Sequence, residues 1–138
     1  MKHEFSDRER DKFREGSFEY IARFFENSLA ELALRQEGVE GSFRRTDSNH
    51  FAAAVYVHGE KRASCRIWRG SSMIGDIAYA SGDSGDSNSY NEALSVVDDG
   101  NSLLLRPYGL QMLGNATSSL SQEGASEHLW AMPMRGLQ

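Results

Sequence analysis

Near Gly38 the hydrophobic pattern of this chain changes period. Before it, Phe18, Ile21, Phe25, Leu29 and Leu32 recur at steps of three and four, Phe24 broadens the stripe, and Arg23, Glu26, Glu31 and Arg35 lie off it. That is the pattern of an amphipathic helix with one buried face. After Gly38 the apolar residues come in short runs, rich in β-branched and aromatic side chains and separated by turn-forming residues. Such runs read as strands. One long helix followed by several closely connected strands implies an α+β domain, its helices covering one face of an antiparallel sheet.

Local signals set the boundaries. Ser6 with Glu9 forms a capping-box pair for a short charged helix over 7–15, which Gly16 and Ser17 interrupt. Ser17 then caps the main helix, expected over 17–37, so residues 1–16 read as a peripheral segment of a single domain spanning 1–138. Six strands are expected, at 42–45, 51–57, 62–68, 73–80, 93–97 and 103–106, the last stopped by Pro107. Turns fall at Asp47-Ser48-Asn49, at His58-Gly59-Glu60-Lys61 and at Asp99-Gly100. The stretch 81–89 has no apolar residue and reads as an exposed loop. A soft stretch over 114–119 precedes a final helix capped by Ser119 or Ser121 and ended by Pro133, with Ala125, Leu129 and Met132 on one face.

The chain has 138 residues, enough for one core, and 39% hydrophobic against 25% charged residues argues against disorder. No run approaches the length of a membrane span, the first ten residues carry no apolar core of an export signal, and Cys65 stands alone. The expectation is a cytoplasmic protein.

Charge is distributed unevenly. Residues 1–69 hold 13 Lys and Arg against 12 Asp and Glu, whereas 70–105 hold no basic residue and six acids, Asp76, Asp83, Asp86, Glu92, Asp98 and Asp99. An acidic block disfavours DNA and attracts basic partners. The residues expected to meet a basic protein partner are therefore Asp83, Asp86, Glu92, Asp98 and Asp99.

Chemistry-bearing patterns are weak. Gly82-Asp83-Ser84-Gly85 lacks the Gly-x-Ser-x-Gly elbow, so hydrolysis through Ser84, with His50 or His58 as base, is disfavoured. Asp83, Asp86, Asn88 and Glu92 crowd oxygen ligands, but their spacing departs from a calcium loop. His3, His50, His58 and His128 have no paired zinc spacing and read as surface or turn residues, so neither metal nor cofactor is expected. Cys65 alternates with Ala63 and Ile67 as a small buried side chain would. Arg62, Ser64, Arg66 and Trp68 share the other parity and, with Arg44 and Arg45, compose a basic face bearing an aromatic, suited to a nucleotide or another anion with Trp68 or Tyr56 beside it. The surplus of Phe13, Phe18, Phe24 and Phe25 on the helix suggests a second neighbour, such as another subunit.

The run from Phe24 to Leu32, followed by Phe43-Arg44-Arg45, Ile67-Trp68, Leu129-Trp130 and Leu137-Gln138, resembles small uncharacterised bacterial domains, some of which accompany TIR-type or other phage-defence and conflict proteins. The resemblance covers nearly the whole chain and carries over no active-site residue. It implies an accessory role such as sensing, scaffolding or inhibition. Together these observations point to a non-enzymatic interaction or regulatory module with an acidic docking surface. The alternative is an anion sensor built on Arg44, Arg45, Arg62, Arg66 and Trp68, and a small hydrolase is the weakest reading.

Overall fold

The computed structural model describes residues 3–70, 75–85, 89–109 and 118–137. Helix α1 (Asp7–Arg35) starts at the expected capping box: the Glu9 amide donates to Ser6 Oγ at 3.1 Å and the Ser6 amide to the Glu9 carboxylate at 3.0 Å. The interruption expected at Gly16 does not occur, and α1 is one continuous helix through Ser17. A glycine inside a helix costs only about 1 kcal/mol relative to alanine, which tertiary contacts outweigh. Ser17, read as a cap, is instead a buried helical residue whose hydroxyl accepts from Gln122 at 3.0 Å. Residues 7–16 are therefore the first turns of the main helix, and they are tied down by Arg10 to Asp98 at 2.6 Å and Arg14 to Asp76 at 3.1 Å.

Strands β1 (Val39–Asp47), β2 (His50–Val57), β3 (Glu60–Arg69), β4 (Ile77–Ser81), β5 (Glu92–Asp98) and β6 (Leu103–Pro107) form one antiparallel sheet in the order of the chain. Met73 and Ile74, expected at the start of the fourth strand, lie outside the described residues, as do 114–117 of the soft stretch. The β2–β3 hairpin turns through His58 and Gly59 alone, with φ of 51° and 82°. This paired positive φ matches the twist of the flanking strands. At the β5–β6 turn the Asp99 carboxylate accepts from the Asn101 and Ser102 amides at 2.8 and 2.7 Å. Helix α2 (Gln122–Arg135) is capped by Ser121 and runs two residues past Pro133, which sits in its last turn.

Both helices lie on one face of the sheet, giving two layers. Phe18, Ile21, Phe25 and Leu29 of α1 meet Phe51, Val55, Cys65, Ile67, Ile77, Tyr79, Leu94 and Leu105 of the sheet and Ala125 and Leu129 of α2. Phe51 is the hub, with the rings of Phe18, Phe25 and Phe43 at 5.7, 5.5 and 5.2 Å. Phe25 also packs edge-on against Trp130 of α2 at 5.2 Å. The aromatic surplus of α1 is thus taken up within the chain: Phe18 and Phe25 are buried, and Phe13 and Phe24 are partly buried against the same core. The opposite sheet face carries the alanines Ala52, Ala54, Ala78, Ala80 and Ala93, all buried. Trp68 and Tyr90 pack over Ala78 and Ala80.

Gly41 shows how closely α1 approaches the sheet. A Cβ there would lie 2.9 Å from Leu29 Cβ and 3.3 Å from the Leu29 carbonyl. Gly41→Val is expected to lever α1 off β1 and to lower the free energy of unfolding, measured in urea, by about 1–3 kcal/mol.

Candidate functional site

The fold disperses the acidic block. Asp83 pairs with Lys61 at 2.7 Å, which holds its carboxyl below the usual range. Asp98 pairs with Arg10, Asp76 pairs with Arg14 and also accepts from the Val96 amide at 2.7 Å, and Asp99 caps its own turn. Asp86 lies outside the described residues. Glu92, expected on the exposed acidic surface, is fully buried and cannot meet a partner there. What remains at the surface gathers where the start of α1 crosses β5. There a groove of about 330 Å³ is lined by Asp7, Arg10, Asp11, Arg14, Asp76 and Val96. The amide of His3 donates to the Gly100 carbonyl at 2.9 Å, which keeps the β5–β6 turn beside this groove.

The basic face also divides. Successive strand residues point to opposite faces, so Arg45 turns toward α1, where it pairs with Glu19 and lies over Phe18 at 5.7 Å, while Arg44 turns away. A bulge in β3 leaves Arg62 without a partner residue on β2, because Val55 pairs with Ala63 and Tyr56 with Lys61. Lys61 therefore takes the place opposite Tyr56, its ammonium 5.7 Å from that ring. Arg66 and Trp68 share that face with Arg44, but both are engaged. The Arg66 Nη1 donates to the carbonyls of Ser81, Gly82 and Ser84 at 2.9, 3.1 and 3.1 Å, fastening the start of the 81–89 loop to the sheet. Trp68 is buried between the Arg66 guanidinium at 5.7 Å and the stacked His50 ring at 6.4 Å. A ligand ring has no access to its faces.

The candidate nucleophiles are placed equally far from chemistry. Cys65 is fully buried, and burial pushes its thiol up to about 12, where it is not a thiolate at neutral pH. Its neighbour Tyr79 is likewise pushed up by burial. His50 is engaged with Asp47 at 2.8 Å and His58 occupies a hairpin turn, so neither pairs with Cys65. The Ser84 carbonyl, rather than its hydroxyl, makes the contact to Arg66. Among the described residues no group of three or more His, Cys, Asp or Glu side chains is arranged to hold a metal ion.

A buried acid–base pair joins Glu92 of β5 to His128 of α2. The Glu92 carboxylate contacts His128 Nε2 at 2.8 Å and accepts from the Ala93 amide at 2.9 Å and the Gly109 amide at 3.1 and 3.2 Å. Burial pushes its carboxyl up, and the hydrogen bonds to His128, Ala93 and Gly109 outweigh that, leaving it below the ordinary carboxylate range. The pair fastens α2 and the end of β6 to the same point of the sheet. His128 is therefore a nearly buried partner rather than a surface histidine. The signal in the sequence was positional: Glu92 shares parity with Leu94, and His128 lies on the stripe of Ala125, Leu129 and Met132.

This geometry defines a two-layer α+β domain whose described polar clusters hold elements together. The chain matches the Y4lF protein domain over residues 40–135, and it belongs to that family. The match takes in nearly the whole sheet and α2. The uncharacterized protein y4lF of Sinorhizobium fredii (strain NBRC 101917 / NGR234) is 45% identical over 141 residues, covering 97% of this chain and 42% of the relative. The chain thus spans less than half the length of that relative. No solved structure matches. Neither match mentions a TIR-type or phage-defence protein. No helix among the described residues is long and apolar enough to cross a membrane.

Removing one member of a buried pair costs about 3–5 kcal/mol, and Glu92→Ala is expected to lose that much stability at pH 7 in urea unfolding. Because the folded carboxyl lies below its ordinary 4.5, its contribution is complete above that pH and is lost as pH falls through the lowered value. Glu92→Gln should therefore be less stable than the wild type at pH 7, with the difference shrinking steadily from about pH 4.5 downward.

Proposed function

We propose that this domain is a non-enzymatic interaction module whose acidic rim docks a protein with a basic surface. The observation that carries this reading is the meeting of two acidic segments: Asp7 and Asp11 of α1 line one groove with Asp76, with only Arg10 and Arg14 among the groove-lining residues to oppose them, and Arg10 reaches from it to Asp98 at the end of β5, next to Asp99 in the turn. The Asp11 and Asp98 side chains keep 67% and 33% of their surface accessible even while ion-paired. Charges in this state contribute little to stability and act chiefly on encounter rate and orientation. The rim replaces the docking surface expected from the sequence, since Glu92 is interior and Asp83 is engaged by Lys61.

Anion sensing is supported less. Arg45 and Arg66 are engaged, Trp68 is enclosed, and the β3 bulge takes Arg62 out of register with β2. Hydrolysis has a buried, protonated Cys65 and no paired base in its favour. A cytoplasmic accessory or inhibitor in bacterial defence is one special form of the docking reading, resting on the sequence resemblance alone.

The test uses a lysine- and arginine-rich peptide as probe, with a neutral peptide of the same length as control. Asp7→Lys combined with Asp99→Lys is expected to slow association about tenfold or more at low salt, while the lost Asp99 turn cap lowers stability by about 1–3 kcal/mol and circular dichroism shows the fold retained. Raising salt should bring wild type and variant together. Equal rates at low salt would contradict the reading.

A further inference from the structure

The two edges of the sheet are treated differently. The β6 edge is closed: Leu105 and Leu120 exchange backbone hydrogen bonds at 2.8 and 2.7 Å, and Pro107 removes a donor. The β1 edge has nothing beside it among the described residues, and β1 is nine residues long. Its backbone is accessible, since Gly41, which has no side chain, is exposed even with Leu29 packed on its helix side. β1 pairs regularly with β2 from Val39 to Arg45, before a register shift ahead of Asp47, and an unpaired edge of that length is a template for another strand.

The alternation of β1 fixes which groups point outward. His58 donates to the Gly38 carbonyl at 2.8 Å, and Gly38 lies next to the Val39–Val57 pair. In an antiparallel ladder, hydrogen-bonded and non-hydrogen-bonded pairs alternate. Residues 40, 42 and 44 therefore turn their backbone groups toward β2, while Gly41, Phe43 and Arg45 turn theirs away. The Val39 amide, also outward, bonds back to the Gln36 carbonyl at 3.3 Å.

The side chains along this edge are complementary to themselves. Glu40 and Arg44 stand two residues on either side of Ser42, both exposed and neither in an ion pair among the described residues. An antiparallel copy related by a two-fold axis at Ser42 brings Glu40 opposite Arg44 of the second copy, twice by symmetry. These fall at non-hydrogen-bonded positions, where facing side chains are closest. On the helix side the same register sets Gly41, already covered by Leu29, opposite Phe43, which packs on Phe51 of its own chain.

We propose that β1 is a self-association edge, pairing antiparallel with β1 of a second copy about Ser42 so that two sheets continue as one. Gly41 and Phe43 of the second copy exchange both their backbone hydrogen bonds, and the Arg45 amide reaches the carbonyl of Val39. This interface is independent of the acidic rim, which lies toward the other edge of the sheet.

Sedimentation of the whole chain over a concentration series, with Glu40→Arg, Arg44→Glu and the double exchange, tests the pairing. Each single reversal places like charges opposite one another at two symmetric positions and should weaken the dimer about tenfold or more. The double exchange restores opposite charges and should return the dissociation constant to within about threefold of wild type. Amide exchange at Gly41, Phe43 and Arg45 should slow as protein concentration rises, while the β6 amides stay unchanged. A chain that remains monomeric at millimolar concentration, a dimer that ignores the single reversals, or a double variant that fails to recover while circular dichroism shows it folded would each overturn the proposal.

Discussion

The structure depends on laying one long helix across the whole sheet. Phe18, Ile21, Phe25 and Leu29 bury the helix against Phe51 and its neighbours, which supplies the apolar area that a domain of this size needs. The first turns of that helix reach the far side of the sheet, where Arg10 and Arg14 meet Asp98 and Asp76. Hydrophobic burial sets where the helix lies, and the ion pairs bind its polar end. Gly41 then has no freedom to carry a side chain, because Leu29 descends onto it.

The acidic block acquires a different meaning in this frame. Read along the chain it is a surplus of negative charge. In space most of its described members face cations or amides from other segments: Arg10, Arg14, Lys61, His128 and Gly109. The nearly balanced N-terminal half and the acidic middle third are joined by these contacts, and among the described residues the rim around Asp7, Asp11, Asp98 and Asp99 retains negative charge for another molecule. If the β1 edge pairs with a second copy, the two rims lie toward opposite ends of the joined sheet, an arrangement suited to engaging two basic sites at once.

The elements were legible where local chemistry decides them. The capping box of Ser6 and Glu9, the stripe from Phe18 to Leu32, the His58-Gly59 and Asp99-Gly100 turns and all six strands follow from periodicity and turn residues. Other features depend on distant parts of the chain. Gly16 and Ser17 look like a break until Gln122 and the core are placed against them. The bulge that exchanges Lys61 for Arg62 depends on pairing with β2, which β3 alone does not encode. The separation of Arg44 from Arg45 was within reach, since adjacent strand residues cannot share a face. Glu92 and His128 were visible only as charges on apolar parities, each made tolerable by the other.

Because the long helix and its ion pairs carry the account, hydrogen exchange along residues 7–17 tests it most directly. A continuous helix fastened to Asp98 and Asp76 predicts amide protection that runs without a gap through Gly16 and Ser17 and extends toward Arg10, fading only in the first turn. Exchange at unprotected rates up to Ser17, with protection beginning only after it, would contradict that claim and return these residues to the status of a loose N-terminal segment.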